Sequence, residues 1–145
     1  MDKSVYPTFD IQNLVANKSA NDLLNADRFK SYLNSNPHLG VVHNHTFYHL
    51  VYFTEGSGEQ VIDFVTFPVQ KGMIYFMRPG QVHKWYFNED PDGYIVNFSA
   101  TFFDQLFINS NFLDRFPFFD QVAAHQVLIL KEDTQQQVEQ FFEKI

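Results

Sequence analysis

The stretch HNHTFYH sets histidines at positions 43, 45 and 49. In an extended chain residues two apart share a face, so His43, His45, Phe47 and His49 point one way while Asn44, Thr46 and Tyr48 point the other. Imidazoles gathered on one surface are a donor set for Zn, Fe, Cu or Ni, and a reactive metal site needs about three protein ligands plus a free position. A further imidazole, His83, stands downstream in RPGQVH and can come from a neighbouring strand. The same side chains serve equally as polar contacts to an organic molecule, or as buried, hydrogen-bonded packing. The residue types alone leave all three uses open.

Other chemistries fall away. The chain has no Cys, which removes disulfides and thiolate metal or redox sites. No serine sits in a Gly-x-Ser-x-Gly elbow and no glycine-rich phosphate loop occurs, so hydrolase and nucleotide-binding readings have no support. Ten Lys plus Arg against seventeen Asp plus Glu give a net charge of −7, with the basic residues scattered, which disfavours direct contact with nucleic acid. The start MDKSVYPTFD lacks a basic stretch followed by an apolar one, and no apolar run approaches about 18 residues. A cytoplasmic domain with no membrane contact is the expectation.

The elements that must hold these histidines are mostly strands. At 145 residues, 45% hydrophobic and 18% aromatic, the chain is long and apolar enough for one domain with its own core. From 40 to 99 short runs of Val, Ile, Tyr, Phe and Thr are cut by Gly, Pro, Asn and Asp, the pattern of an antiparallel sandwich or barrel. VVHNHTFYHLVYFT reads as one long strand or two joined by a bend, EGSG as a hairpin turn, EQVIDFVTF as the return and PVQKG as a turn. MIYFM and VHKWYF follow as strands around the turn RPGQ, and NEDPDG turns into YIVNFS.

Beyond residue 100 the period changes. Thr101 with Asp104 three positions on resembles a capping box and predicts a short helix over 101–107. QVLILK is a lone strand candidate. Residues 132–145 place Val138, Phe141, Phe142 and Ile145 at i, i+3, i+4 and i+7, one apolar stripe of a helix still running at the last residue, as in a domain cut from a longer protein. Residues 19–37 read as a helix or as a loop leading into an edge strand.

The stretch GMIYFMRPGQVH resembles the second cupin motif, with Arg78 where that family has Pro, and HNHTFYH resembles the first, with His49 in the place of its glutamate. On that resemblance His43, His45 and His83 fall on metal-ligand positions. The longer string HNHTFYHLVYFTEGSGEQVIDF followed by GMIYFMRPGQVHKW is similar to the sensing and dimerisation domain of AraC-type transcriptional regulators. The resemblance implies a mainly β, cupin-like antiparallel barrel of jelly-roll type with a C-terminal helix or helices. It divides the chain into an N-terminal arm (1–38), whose polar part before residue 20 acts as a lid, an effector-binding barrel (39–131) and the start of a dimerisation helix (132–145).

It further implies an organic effector rather than a metal, no enzymatic activity, no cofactor, a homodimer formed through Val138, Phe141, Phe142 and Ile145, and contact with DNA only through a helix-turn-helix domain beyond Ile145; the stripe by itself is equally explained by packing on the barrel, and one side of it can meet the barrel while the other meets a partner. The residues expected around the effector are His43, His45, His49, His83, Trp85, Tyr52 and Arg78. Trp85 either stacks on the effector or packs in the core; Arg78 is either a solvated turn charge or the partner of an acidic effector. Tyr52, Tyr75 and Tyr86 are pocket or interface candidates, and Asp63 is expected to face solvent or cap a neighbouring strand. The rival reading is a small metal-dependent cupin enzyme, a dioxygenase or isomerase, that uses His43, His45, His49 and His83. A weaker third is a carbohydrate- or partner-binding module.

Overall fold

The computed structural model describes residues 6–14, 23–102, 119 and 123–145. Its strands are β1 (Thr8–Phe9), β2 (Leu24–Arg28), β3 (Asn44–His45), β4 (Tyr48–Ile62), β5 (Val65–Val69), β6 (Met73–Met77), β7 (His83–Phe98) and β8 (Val127–Ile129), with helices α1 (Phe29–Ser35) and α2 (Glu132–Glu143). The main sheet runs β2-β7-β4-β6-β8, with β5 also on β4, while β1 and β3 form a separate parallel pair. Every pairing in the main sheet is antiparallel. The mainly β, antiparallel architecture with a C-terminal helix is thus the one observed. Among the described residues the hydrogen-bonded path does not return on itself, so the sheet is curled but open rather than a closed barrel.

Two expected turns are not turns. EGSG lies inside the 15-residue β4 and NEDPDG inside the 16-residue β7, and the two strands stay paired past both. Register shifts between Phe53 and Gly58 mark β-bulges, which bend and twist a strand without ending it. The glycines serve close approach: a Cβ on Gly58 would stand 2.1 Å from the Tyr86 carbonyl oxygen, and one on Gly93 1.8 Å from that of Tyr52. Both also hold positive φ, +147° and +156°, which side-chain-bearing residues rarely adopt. The real hairpin comes later, at Asp63 and Phe64, both with positive φ, between β4 and β5. Asp63 takes that strained place because its carboxylate accepts hydrogen bonds from the Val82 amide at 3.0 Å and the Gln81 side chain at 3.1 Å. It caps a neighbouring segment, as expected.

HNHTFYHLVYFT divides at Thr46 and Phe47 into β3 and β4, the two-strand option. Within the expected N-terminal arm, residues 24–35 are an edge strand followed by a helix. LNADR is poor in strand-favouring residues, and pairing with β7 overrides that local preference. Phe29 and Tyr32 of α1 are fully buried. β8 realises the QVLILK strand. The 101–107 helix beyond residue 102 and the lid before residue 20, apart from residues 6–14, fall outside the described residues.

The sheet has a packed face on each side. Phe29, Tyr32, Phe53, Tyr75, Trp85 and Ile95 belong to the inner core, with Phe87 against it. On the outer face Tyr52, Ile74, Phe76 and Tyr94 lie beneath Val138 and Phe142 of α2. Strand alternation sends successive side chains to these two cores, which is why MIYFM is buried at all five positions.

Candidate functional site

The curl of the β4–β7 ribbon assembles the histidines. At one end of the ribbon His49 is paired with Asn97, and at the other Ile62 is paired with His83. The bulges between fold the ribbon back, so the His49 and His83 rings come within 5.6 Å, centroid to centroid. His43, just before β3, joins through a backbone bridge to His83, and β3 adds His45 beside it. All four histidines are buried to within 2% of complete.

Their nitrogens converge. His45 Nε2 is 3.2 Å from His43 Nε2 and 2.9 Å from His83 Nε2. Burial, with the mutual repulsion of neighbouring imidazoles, lowers the pKa of His45 and His83 well below the ordinary value; burial also lowers His43, and His49 to about 3. All four rings are therefore neutral at pH 7, and each carries one proton on one of its two nitrogens. His43 Nδ1 donates to the Val41 carbonyl at 2.7 Å and His49 Nδ1 to the Asn97 side-chain oxygen at 2.7 Å, so both Nε2 atoms carry a bare lone pair. One proton, on His45 or His83 Nε2, must then serve contacts that want two. His49 Nε2 and His83 Nδ1 are buried with no partner among the described residues.

This donor set fits a divalent transition metal. Ligand nitrogens of His43, His45 and His83 lie within 4.8 Å of one another. A tetrahedral Zn–N distance of about 2.0–2.1 Å sets ligand nitrogens about 3.3 Å apart, close to the separations seen. A ligating imidazole also needs its other nitrogen held by an acceptor, the role of the Val41 carbonyl toward His43. With no carboxylate among the donors, soft and intermediate metals such as Zn, Cu and Ni suit the site better than Mg, Ca or Mn.

Trp85 touches both this cluster and the surface. Its ring is 5.0 Å from His83 and 5.7 Å from His49 on one side. On the other it lines a cleft of ≈ 230 Å³ with Leu33, Asn36, Pro37, Leu39, Gly40 and Phe87. The indole Nε1 is buried without a partner among the described residues. Trp85 thus stands both in the core and at the cleft. His43, His45 and His49 are not part of the cleft lining; they face one another.

Alternation separates Tyr52 from the histidines: it lies on the outer face, where its hydroxyl donates to Glu139 of α2 at 3.2 Å. Arg78 sits in the turn before β7, its backbone amide donating to Gln81 at 3.0 Å, and its guanidinium has no ion pair among the described residues. Tyr75 is fully buried in the inner core; Tyr86 is half exposed under the Lys84 ammonium. Of the stripe expected to dimerise, Val138 and Phe142 are spent on the sheet, Phe141 is 68% exposed, and Ile145, half exposed, borders a small cleft with Phe142, Tyr94 and Ile95.

Sequence reasoning missed two groups. Asn97, held near Asn25 and the Tyr32 hydroxyl at 3.4 and 3.5 Å, orients His49; a polar residue in the apolar run YIVNFS was the available signal. Arg28 is the second. Its guanidinium donates to the Tyr94 hydroxyl and to Asp92 at 2.8 Å each, and to Glu143 of α2 at 3.3 Å; Tyr94 and Glu143 also bond directly. Burial is the largest single influence and opposes the charges of Arg28 and Asp92, yet their mutual hydrogen bond and charge attraction, joined by Tyr94 and Glu143 around Arg28 and by the Gly93 and Lys30 amides on Asp92, together outweigh it, raising the one pKa and lowering the other.

A family model described as "AraC-like ligand binding domain" matches residues 35–145. No curated protein matches the chain. Among solved structures, an RmlC-like cupin from Shewanella frigidimarina is 21% identical over 54% of this chain and 66% of its own, with a TM-score of 0.39. A Cupin 2 conserved barrel domain protein from Salinispora arenicola is 23% identical over 67% of this chain and 90% of its own, TM-score 0.40. A Bacillus subtilis oxalate decarboxylase is 10% identical over 85% of this chain and 41% of its own, TM-score 0.38. The chain thus spans just under two thirds of the first of these proteins and less than half of the last.

Proposed function

The chain belongs to the family of AraC-like ligand binding domains, and on that premise we propose that it senses a small molecule and passes its occupancy to a helix-turn-helix DNA-binding domain. The effector lies in the cleft beside Trp85. One observation supports the route: α1, which gives Leu33 to the cleft, starts immediately after Arg28, and Arg28 grips both β7 and the end of α2. Asp92 reinforces the joint by also accepting the Lys30 backbone amide in the first turn of α1. A ligand shifts an equilibrium only by the difference in its affinity for the two states. A molecule against Leu33 and Asn36 binds differently as α1 moves, and α1 moves with the Arg28 joint. Phe141 and the exposed half of Ile145 offer an apolar surface for a second copy, giving a homodimer. No catalysis is required of the protein.

The test is a thermal-shift screen of chelator-treated, dialysed protein against sugars, aromatic compounds and peptide-like compounds, since binding to the folded state alone raises its midpoint. A stabilising compound should change hydrogen exchange in α2 of the wild type and not of Arg28→Met. If no compound stabilises the chain, or if α2 exchange is the same with and without ligand, the sensor reading fails.

The convergent Nε2 atoms favour a second reading, a metal-dependent enzyme of cupin type. His43, His45 and His83 would hold the ion, with His49 Nε2 as a further donor, and the bound metal would supply Lewis acidity. The chain's own part is to keep four imidazoles neutral, to orient His49 through Asn97, and to exclude water with Phe47 and Trp85. Metal analysis of protein purified without chelator decides: stoichiometric metal that is lost in His45→Ala supports this reading, and its absence rejects it.

A further inference from the structure

The outer face of the β4–β7 ribbon is covered in one half and open in the other. Over the paired Tyr52 and Tyr94 lies α2. Beyond the bulges, alternation turns the buried Gln60 and Trp85 inward and Glu59, Val61, Lys84 and Tyr86 outward. Register makes these four a compact quartet, Glu59 opposite Tyr86 and Val61 opposite Lys84. Glu59 is exposed, Tyr86 is 50% exposed, and the Lys84 ammonium stands 4.9 Å from the centre of the Tyr86 ring. Neither Glu59 nor Lys84 has an ion pair among the described residues.

Phe64, at the tip of the β4–β5 hairpin, stands at the rim of this face. It belongs to neither core, is 49% exposed, and holds φ +68°, a conformation in which a bulky residue is an outlier. Asp63 beside it has hydrogen bonds to Val82 and Gln81 that offset the same strain. At position 64 glycine would fit the turn better. With Val61, Lys84 and Tyr86, Phe64 borders a cleft of ≈ 140 Å³. A strained backbone that holds an apolar ring in solvent points to a contact outside the chain.

The charges identify what that contact is. The chain carries −7 and repels its own copies, but the quartet holds one acid and one base and is neutral. An acid and a base at opposite corners are also self-complementary. A two-fold axis close to the Val61–Tyr86 diagonal brings Glu59 of each copy to Lys84 of the other, and sets Tyr86 against its own counterpart. A partner of uniform charge would attract one of the two and repel the other.

We propose that this face is a two-fold contact between copies of the chain, in which Glu59 pairs with Lys84 across the axis while Phe64 and Tyr86 pack against the second copy. It is separate from the α2 surface and goes beyond the sensor reading.

The test is sedimentation velocity up to about 1 mM protein, in a Phe141→Glu parent that breaks the α2 contact. The parent should form dimers. Lys84→Glu and Glu59→Lys should each weaken them at least tenfold, because each sets two like-charged pairs across the axis. The two substitutions together should restore association to within about threefold of the parent. Phe64→Gly should also weaken the dimer at least tenfold, yet its thermal midpoint at low protein concentration should not fall, because glycine adopts positive φ without strain.

A parent that stays monomeric overturns the proposal; a wild type that dimerises under the same conditions then keeps the α2 contact alone. Single charge variants that associate like the parent overturn it as well. Two weakened single variants with no rescue in the double overturn the two-fold pairing. A Phe64→Gly that lowers the midpoint and leaves association unchanged overturns the part assigned to Phe64, whose ring would then serve its own chain.

Discussion

The two faces of the sheet bury polar rings and satisfy them differently. Under α2, the Tyr52 and Tyr94 hydroxyls meet Glu139 and Glu143, and Arg28 binds Tyr94, Asp92 and Glu143. On the inner face, His49 Nε2, His83 Nδ1 and Trp85 Nε1 have no partner among the described residues. An unsatisfied buried group costs about 1–3 kcal/mol. A fold that satisfies the polar groups of its outer face and leaves these bare has a joint on one side and unspent hydrogen-bonding capacity on the other.

The comparison breaks most severely in acid. The four histidines titrate in the native state below the unfolded value of about 6.5, so the unfolded chain binds more protons as pH falls. Stability is complete above that value and is lost toward the native ones, about 3 for His49. In chelator-treated protein, urea unfolding should show losses of up to about 1.4 kcal/mol per pH unit for each histidine below pH 6.5. His49→Gln should remove one histidine's share of the slope. A flat profile from pH 7 to 5 would contradict the buried, neutral cluster.

Next in size is the outer face. Phe142 stacks on Tyr94 at 5.3 Å and Tyr52 at 5.8 Å, so Phe142→Ala should cost about 2 kcal/mol, less than a fully buried Phe. Phe141→Ala, at an exposed position, should cost under about 0.5 kcal/mol and weaken self-association instead. Equal losses in thermal unfolding at low protein concentration would mean that the stripe is not divided between sheet and solvent.

Arg28→Met should cost about 1 kcal/mol, a figure kept low because the arginine side chain is 38% exposed and its charge is screened. Asp92 has its native pKa depressed, so its share is present above the ordinary carboxylate value and disappears as pH falls below it. The wild type, unlike Arg28→Met, should lose stability in 1 M salt. Smallest is Tyr52→Phe, which removes one 3.2 Å hydrogen bond to Glu139 and should cost about 0.5 kcal/mol. A loss above about 2 kcal/mol would show that Tyr52, and not Arg28, anchors α2.

Alternation made the shared face of His43, His45 and His49 legible, and the 3.6-residue period made α2 legible from Val138 and Phe142. Glycine misled: at Gly58 and Gly93 it permits two backbones to touch within a bulged ribbon, and local sequence cannot tell that from a turn. LNADR misled in the other direction, because its strand state comes from β7. Tyr52 was grouped with the pocket through its residue type, whereas its odd-even position relative to His49 assigns it to the other face.

Residue types and spacing were enough for the class of fold, the histidine face, the apolar stripe and the family, because alternation and motif are local properties of a chain. Which ends of β4 and β7 meet, which nitrogens lack a partner, how the stripe divides between sheet and solvent, and where Trp85 opens to a cleft belonged to the tertiary structure. Those depend on register and curl, set by bulges and by pairing between residues far apart in sequence.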